Sequence, residues 1–159
     1  MAQPGAKTKS LTTDRIEKEI LLRAPRGRVW RALTDVREFN AWFGIELDRP
    51  FAVGQTTAGR LRIKGYEHIT IDLAVVEMTP EHAFSYRWHP YPMDPKVDYA
   101  LEPTTLCEFR LEDAPGGTRL TIVESGFDQI PASRRAEAYR MNEGGWPEQL
   151  ENIARHVAQ

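Results

Sequence analysis

The tightest constraint on this chain is an alternation of apolar and polar residues that fills its middle and gives way to helical spacing at both ends. Leu61 and Ile63 alternate with Arg60, Arg62 and Lys64. Ile69, Ile71, Leu73 and Val75 alternate with Thr70, Asp72 and Ala74, and Phe84, Tyr86 and Trp88 with Ser85, Arg87 and His89. Successive side chains on a strand point to opposite faces, so each run predicts a strand with one buried face. Two further runs carry Cys107, Phe109 and Leu111, then Leu120 and Ile122, on either side of Asp113-Ala114-Pro115-Gly116-Gly117, a hairpin signal. A sheet that is apolar on one face and charged on the other is antiparallel, with one side in water.

Before the alternation, Arg15 to Arg23 reads as a first strand. Ala24-Pro25 breaks it and opens a helix with proline in the first turn. Val29, Trp30 and Leu33 give that helix an inward stripe, Thr34-Asp35 ends it, and Arg37 to Phe43 forms a second short helix carrying Phe39, Trp42 and Phe43. Helices this short depend on tertiary packing. After Gly126-Phe127 the spacing is helical again, with Tyr139, Trp146, Leu150, Ile153 and Val157 at intervals of three, four and seven. Gly144-Gly145 and Pro147 interrupt the stripe and predict a bend, or a helix that starts afresh at Trp146. This order of elements is an α+β layout in which a curved sheet grips one long C-terminal helix. Such a grip leaves a cavity wherever sheet and helix do not touch.

Composition narrows the partners. The 159 residues suit one domain, read here as residues 15–159 behind a loose polar tail over 1–14. A formal net charge of −2 gives no broad attraction to phosphate backbones or anionic lipid, which excludes nucleic acid and membrane surfaces as expected partners. The single cysteine cannot close an internal disulfide, the first residues lack the apolar stretch of a secretory signal, and a cytoplasmic location is expected. No run approaches the roughly 20 apolar residues of a membrane helix.

Candidate chemistry is sparse. His82 and His89 fall seven apart on one predicted strand and so on opposite faces, His68 and His156 lack ligand-spaced companions, and no metal or other cofactor is expected. Cys107 reads as a small core residue. Arg134, Arg135 and Arg140 mix with Glu137 and Glu143 as a solvated helix face, and Gly54 to Gly59 has no lysine placed to hold phosphate. Glu124 is the exception. Continuing the parity of Leu120 and Ile122 sends its carboxylate inward, where it either fixes a ligand's polar group or pairs with an arginine or a tyrosine hydroxyl. The rings of Trp42, Tyr86, Trp88, Phe109, Tyr139 and Trp146 serve as core or as cavity wall, since an aromatic body with one polar tip suits both. The proline-rich run from His89 to Pro95 predicts a loop at the cavity rim and a candidate lid.

Several segments together resemble one superfamily: Val29-Trp30-Arg31-Ala32-Leu33-Thr34-Asp35, Trp42-Phe43, Gly116-Gly117-Thr118-Arg119-Leu120-Thr121, Ser125-Gly126-Phe127, and Met141-Asn142-Glu143-Gly144-Gly145-Trp146 continuing to Asn152-Ile153. The chain is similar to the START-like or SRPBCC helix-grip proteins, in particular the branch related to the activator of the heat-shock-protein-ninety ATPase. The resemblance implies a cavity for lipids, steroids, polyketides or hormones, with catalysis in a few members and chaperone stimulation in one branch. The chaperone activators carry a preceding domain where this chain has its polar tail.

The reading that follows is a binder of a small hydrophobic or amphipathic molecule, without catalysis. Trp42, Tyr86, Trp88, Phe109, Tyr139 and Trp146 form its wall and Glu124 its polar anchor. The alternatives are a cyclase- or dehydratase-like enzyme using Glu124 and Tyr86 as acid and base, and a chaperone-interaction module. A homodimer or a chaperone is the further expected partner.

Overall fold

The computed structural model describes residues 14–159, so all of the expected tail except Asp14 lies outside the described residues. Strand β1 (Arg15–Leu22) leads into helices α1 (Arg26–Thr34) and α2 (Val36–Phe43). Six strands follow: β2 (Ile45–Leu47), β3 (Thr56–Leu61), β4 (Thr70–Thr79), β5 (Ala83–Trp88), β6 (Thr105–Ala114) and β7 (Gly117–Ser125), and the chain closes with helix α3 (Ala132–Val157). All pairings are antiparallel, in the order β1-β7-β6-β5-β4-β3-β2. The layout is the expected α+β helix grip.

Local chemistry accounts for most element ends. Pro25 sits at the N-cap of α1 and not inside its first turn, and Val29, Ala32 and Leu33 are the residues α1 buries. Asp35 ends α1 and starts α2, its carboxylate accepting the Arg37 N–H at 2.9 Å, as an N-cap side chain does. Gly44 stops α2 with φ 86°, a left-handed conformation that glycine adopts without a Cβ clash. Pro115 and Gly116 form the two-residue turn between β6 and β7. At Gly117 a Cβ would stand 1.9 Å from the Leu22 carbonyl oxygen, so β1 can close against the hairpin only over a glycine.

Parity holds across the sheet. Ile71, Leu73, Val75, Phe84, Tyr86, Trp88, Cys107, Phe109, Leu111, Leu120 and Ile122 are all buried, and α2 adds Phe39, whose ring meets Trp42, Phe43, Phe51 and Tyr86 at centroid distances of 4.7 to 6.3 Å. The space beneath α2 is therefore solid aromatic core.

Three expectations need correction. The run around Leu61 and Ile63 is not a strand through Lys64, because β3 ends at Leu61 and Gly65 (φ 93°) makes a turn that leaves Ile63 exposed. His82 and His89 flank β5 and do not lie on it. Helix α3 runs unbroken from Ala132 to Val157 with Pro147 inside it, so no helix starts afresh at Trp146. Burial of Ala138, Trp146, Leu150, Ile153 and Val157 along α3 offsets the helix-weakening residues.

The two central glycines of α3 fill no steric need of the chain, since a Cβ at Gly144 or Gly145 meets no atom within 4 Å. Gly144→Ala is expected to raise the unfolding free energy by up to about 1 kcal/mol in urea titration, the helix-interior difference between the two residues. Gly117→Ala is expected to lower it by more than that. Equal effects would contradict the close approach at Leu22.

Candidate functional site

The site is organised by a carboxylate that the sheet directs inward. Glu124 on β7 faces the concave side, where Cys107 and then Tyr86 are its cross-strand neighbours, and it is fully buried. Its two oxygens accept from four side chains: Trp88 Nε1 at 2.8 Å, Trp146 Nε1 at 2.8 Å, Thr105 Oγ1 at 2.6 Å and Asn142 Nδ2 at 3.1 and 3.2 Å. The donors come from β5, β6's first residue and α3. The sequence pointed to an arginine or tyrosine hydroxyl as partner, and the structure replaces both with indole, hydroxyl and amide groups. Burial pushes the Glu124 carboxyl upward, against the pull of those donors. The same burial raises Cys107 and Tyr86 well above their ordinary values.

Pinning both indole N–H groups on one carboxylate fixes the two rings. Trp88 and Trp146 stack at 5.7 Å with 26° between planes, and Phe43 meets Trp88 edge-on at 5.9 Å. Trp42 turns its own N–H away, donating to the Ala32 carbonyl at 2.8 Å. These rings border a cavity of about 880 Å³ between the C-terminal end of α2, the turn after β3, the loop after β5 and the second half of α3. A recess of about 140 Å³ lined by Ile71, His89 and Pro92 adjoins it and shares Phe43 and Trp88. The volume falls in the range of roughly 300–1,000 Å³ typical of small-molecule pockets.

The expected site residues divide by position. Trp42, Trp88 and Trp146 border the cavity. Tyr86 and Phe109 lie behind that wall, fully buried, with Tyr86 against Trp88 at 5.4 Å and Phe109 against Trp146 at 5.7 Å. The Tyr86 hydroxyl has no hydrogen-bond partner among the described residues. Tyr139 stands apart, donating to the Arg15 carbonyl at 2.9 Å and packing on Phe127. Sequence reasoning missed Asn142, although it sits one turn before Trp146 on the same helix face.

It also misread Arg134, which is not a solvated charge. Its guanidinium donates to Glu102 Oε1 at 2.8 Å and to the Pro90 carbonyl at 2.7 Å, and lies 4.7 Å from the centre of the Tyr99 ring. One side chain on α3 thus straps down the loop after β5, which brings Tyr91 and Met93 to the cavity. Tyr91 is held there with φ 51°, a conformation that costs a non-glycine residue energy.

A curved antiparallel sheet closed on one long helix, with an apolar cavity at their junction, defines a START-like helix-grip protein. The family model described as "Activator of Hsp90 ATPase homolog 1-like protein" matches residues 23–158, and the chain belongs to that family. No curated protein matches it. Among solved structures it is similar to protein MLL2253 of Mesorhizobium loti, at 27% identity and TM-score 0.71, over 91% of this chain and 96% of that one. It is also similar to DynU16, a putative protein in the dynemicin biosynthetic locus, at 23% identity and TM-score 0.70, over 92% of this chain but only 48% of that one. The Aha1 dimer of Colwellia psychrerythraea shares the fold at 15% identity and TM-score 0.66, over 90% of this chain and 95% of that one. Among the described residues no helix is long and apolar enough to cross a membrane.

Two outcomes follow from this geometry. A carboxyl raised above its ordinary value of 4.5 holds its proton more tightly in the folded state, so its contribution to stability is complete below that pH and is lost as pH climbs through the raised value. Unfolding free energies from about pH 4 to 8 should therefore show wild type losing ground to Glu124→Gln as pH rises, and a flat difference would count against the buried charge. Arg134→Gln should accelerate amide exchange in residues 89–102 while leaving β6 protected. Unchanged exchange there would remove the strap.

Proposed function

We propose that the protein binds one small hydrophobic or amphipathic molecule in the cavity between α2, the loop after β5 and α3. The observation that carries this reading is the cavity of about 880 Å³ together with its tryptophan wall, whose indole N–H groups are all engaged by the protein itself. A wall whose indole donors are engaged costs little to desolvate, and with Trp42, Trp88 and Trp146 themselves buried the apolar area a guest removes from water, worth about 25 cal/mol per Å², comes from the more exposed lining side chains. Exposed Ile63, Tyr66 and Met141 extend the apolar rim. Ligand binding in the gripped cavity is compatible with the family, and no step of it requires catalysis.

The wall needs the Glu124 anchor, so truncating Trp146 strands a buried carboxylate and confounds folding with binding. Gly145 offers a cleaner test, because it borders the cavity and a side chain there enters open space. Gly145→Phe is expected to retain the thermal unfolding midpoint within a few degrees and to reduce the affinity of an amphipathic fluorescent probe, the anion 1-anilinonaphthalene-8-sulfonate, at least about tenfold, a difference of about 1.4 kcal/mol. Probe binding that survives Gly145→Phe unchanged would place the binding surface elsewhere.

A further inference from the structure

Where the sheet and α3 part, the lining keeps few polar atoms for a guest. The indole N–H groups of Trp42, Trp88 and Trp146 are held by Ala32 and Glu124. Gln149 has both ends engaged, its Nε2 donating to the Phe43 carbonyl at 3.2 Å and its Oε1 accepting from Asn152 at 3.0 Å. Asn142 differs, because only half of its amide is engaged. Its Nδ2 reaches both Glu124 oxygens, at 3.1 and 3.2 Å, while its Oδ1 accepts from no group among the described residues. Unlike the Tyr86 hydroxyl, that oxygen is not sealed in the interior.

Glu124 also decides which way round this amide sits. A carboxylate only accepts, so it holds the nitrogen of Asn142 and turns the oxygen away from itself. An N–H group spent on a charge strengthens the carbonyl of the same amide as an acceptor, since hydrogen bonds in series polarise one another. Half-buried Asn142 borders both the cavity of about 880 Å³ and the recess of about 140 Å³, which places a fixed acceptor where the two meet. The recess is apolar beyond that point. Ile71 and Pro92 line it, and His89 gives its Nε2 to the Glu102 carbonyl at 3.1 Å. On the other side the cavity runs out to exposed Tyr66 and Met141.

We infer that the guest carries a neutral hydroxyl group part-way along an otherwise apolar body, donating its O–H to Asn142 Oδ1 with a short apolar arm in the recess and a longer one in the cavity. This deepens the cavity-binding reading and rests on it. Neutrality follows from the surroundings: one amide oxygen satisfies one O–H, but it does not offset the desolvation of an ammonium group among apolar walls. A ketone at the same place sets one acceptor against another and leaves Oδ1 unpaired. The hydroxyls of Tyr66 and Tyr91 on the lining impose no such preference, because a tyrosine O–H rotates and serves as donor or acceptor. The interior placement follows from the position of Asn142 at the junction, since a hydroxyl at the end of a chain reaches it only by leaving the recess or the cavity unfilled.

Three nine-carbon probes separate the parts of the inference: 4-nonanol, whose hydroxyl lies between a short and a long arm; 4-nonanone, the same skeleton with an acceptor only; and 1-nonanol, with the hydroxyl at its end. Affinities are read from titrations of the Trp42 and Trp146 indole resonances in nitrogen–proton spectra. 4-Nonanol should bind about fivefold or more above the other two, in keeping with one neutral hydrogen bond. Asn142→Leu should bring 4-nonanol and 4-nonanone within about twofold by weakening the alcohol. Because that substitution also removes a donor from Glu124, a second readout uses the wild-type chain: the side-chain carbonyl carbon of Asn142 should move downfield with 4-nonanol and not with 4-nonanone. Equal affinity for alcohol and ketone in wild type, a preference for the alcohol that persists in Asn142→Leu, or an Asn142 carbonyl that ignores 4-nonanol overturns the hydroxyl at Asn142 while leaving cavity binding in place. Equal affinity for 1-nonanol and 4-nonanol overturns the interior placement. Absence of binding by all three overturns the cavity-binding reading itself, and this inference with it.

Discussion

A carboxylate taken out of water with no cation beside it survives only where neutral donors surround it, and Glu124 meets that condition through residues of β5, β6 and α3 at once. Each donor is useful twice. Trp88, Thr105, Asn142 and Trp146 offset the desolvation of the charge, and in doing so they fasten the long helix to the sheet at one level. Below that level Phe39, Phe84, Tyr86 and Phe109 fill the grip completely. Above it the helix stands away from the strands, and the space left open is the cavity.

This division explains why the cavity is not the whole volume between sheet and helix. The Glu124 anchor fixes Trp88 and Trp146 by their N–H edges and stacks them on one another, so the two buried indoles close the inner end of the cavity. Arg134 acts on the facing wall. By taking the carbonyl of Pro90 and the carboxylate of Glu102 it converts a proline-rich loop into a defined boundary carrying Tyr91 and Met93. Membership of the activator of Hsp90 ATPase homolog 1-like family accounts for the architecture, while the polarity of the cavity belongs to these particular side chains.

The fold was legible because its signals are local. Alternation at Phe84, Tyr86 and Trp88 and at Cys107, Phe109 and Leu111 needs no knowledge of distant residues, and the inward parity of Glu124 came from the same rule. Its partners were not legible, because they lie 36, 19 and 22 residues away and converge only when the sheet forms. Arg134 looked like an ordinary helix-surface charge for the same reason. The turn at Gly65 was readable from its glycine but lost to the alternation of Leu61 and Ile63. At Gly144, Gly145 and Pro147 local propensity pointed to an interruption, and the burial of Trp146, Leu150 and Ile153 overrode it.

The indole N–H resonances give the most direct test, since three of the four tryptophans border the cavity and Trp30 does not. In a two-dimensional nitrogen–proton spectrum, the Trp42, Trp88 and Trp146 indole protons should exchange slowly with solvent and stay slow when an apolar probe is added. Their shifts should move with the probe while that of Trp30 stays fixed. Rapid exchange of the Trp88 and Trp146 indole protons, or shifts confined to Trp30, would contradict a wall anchored by its edges on Glu124.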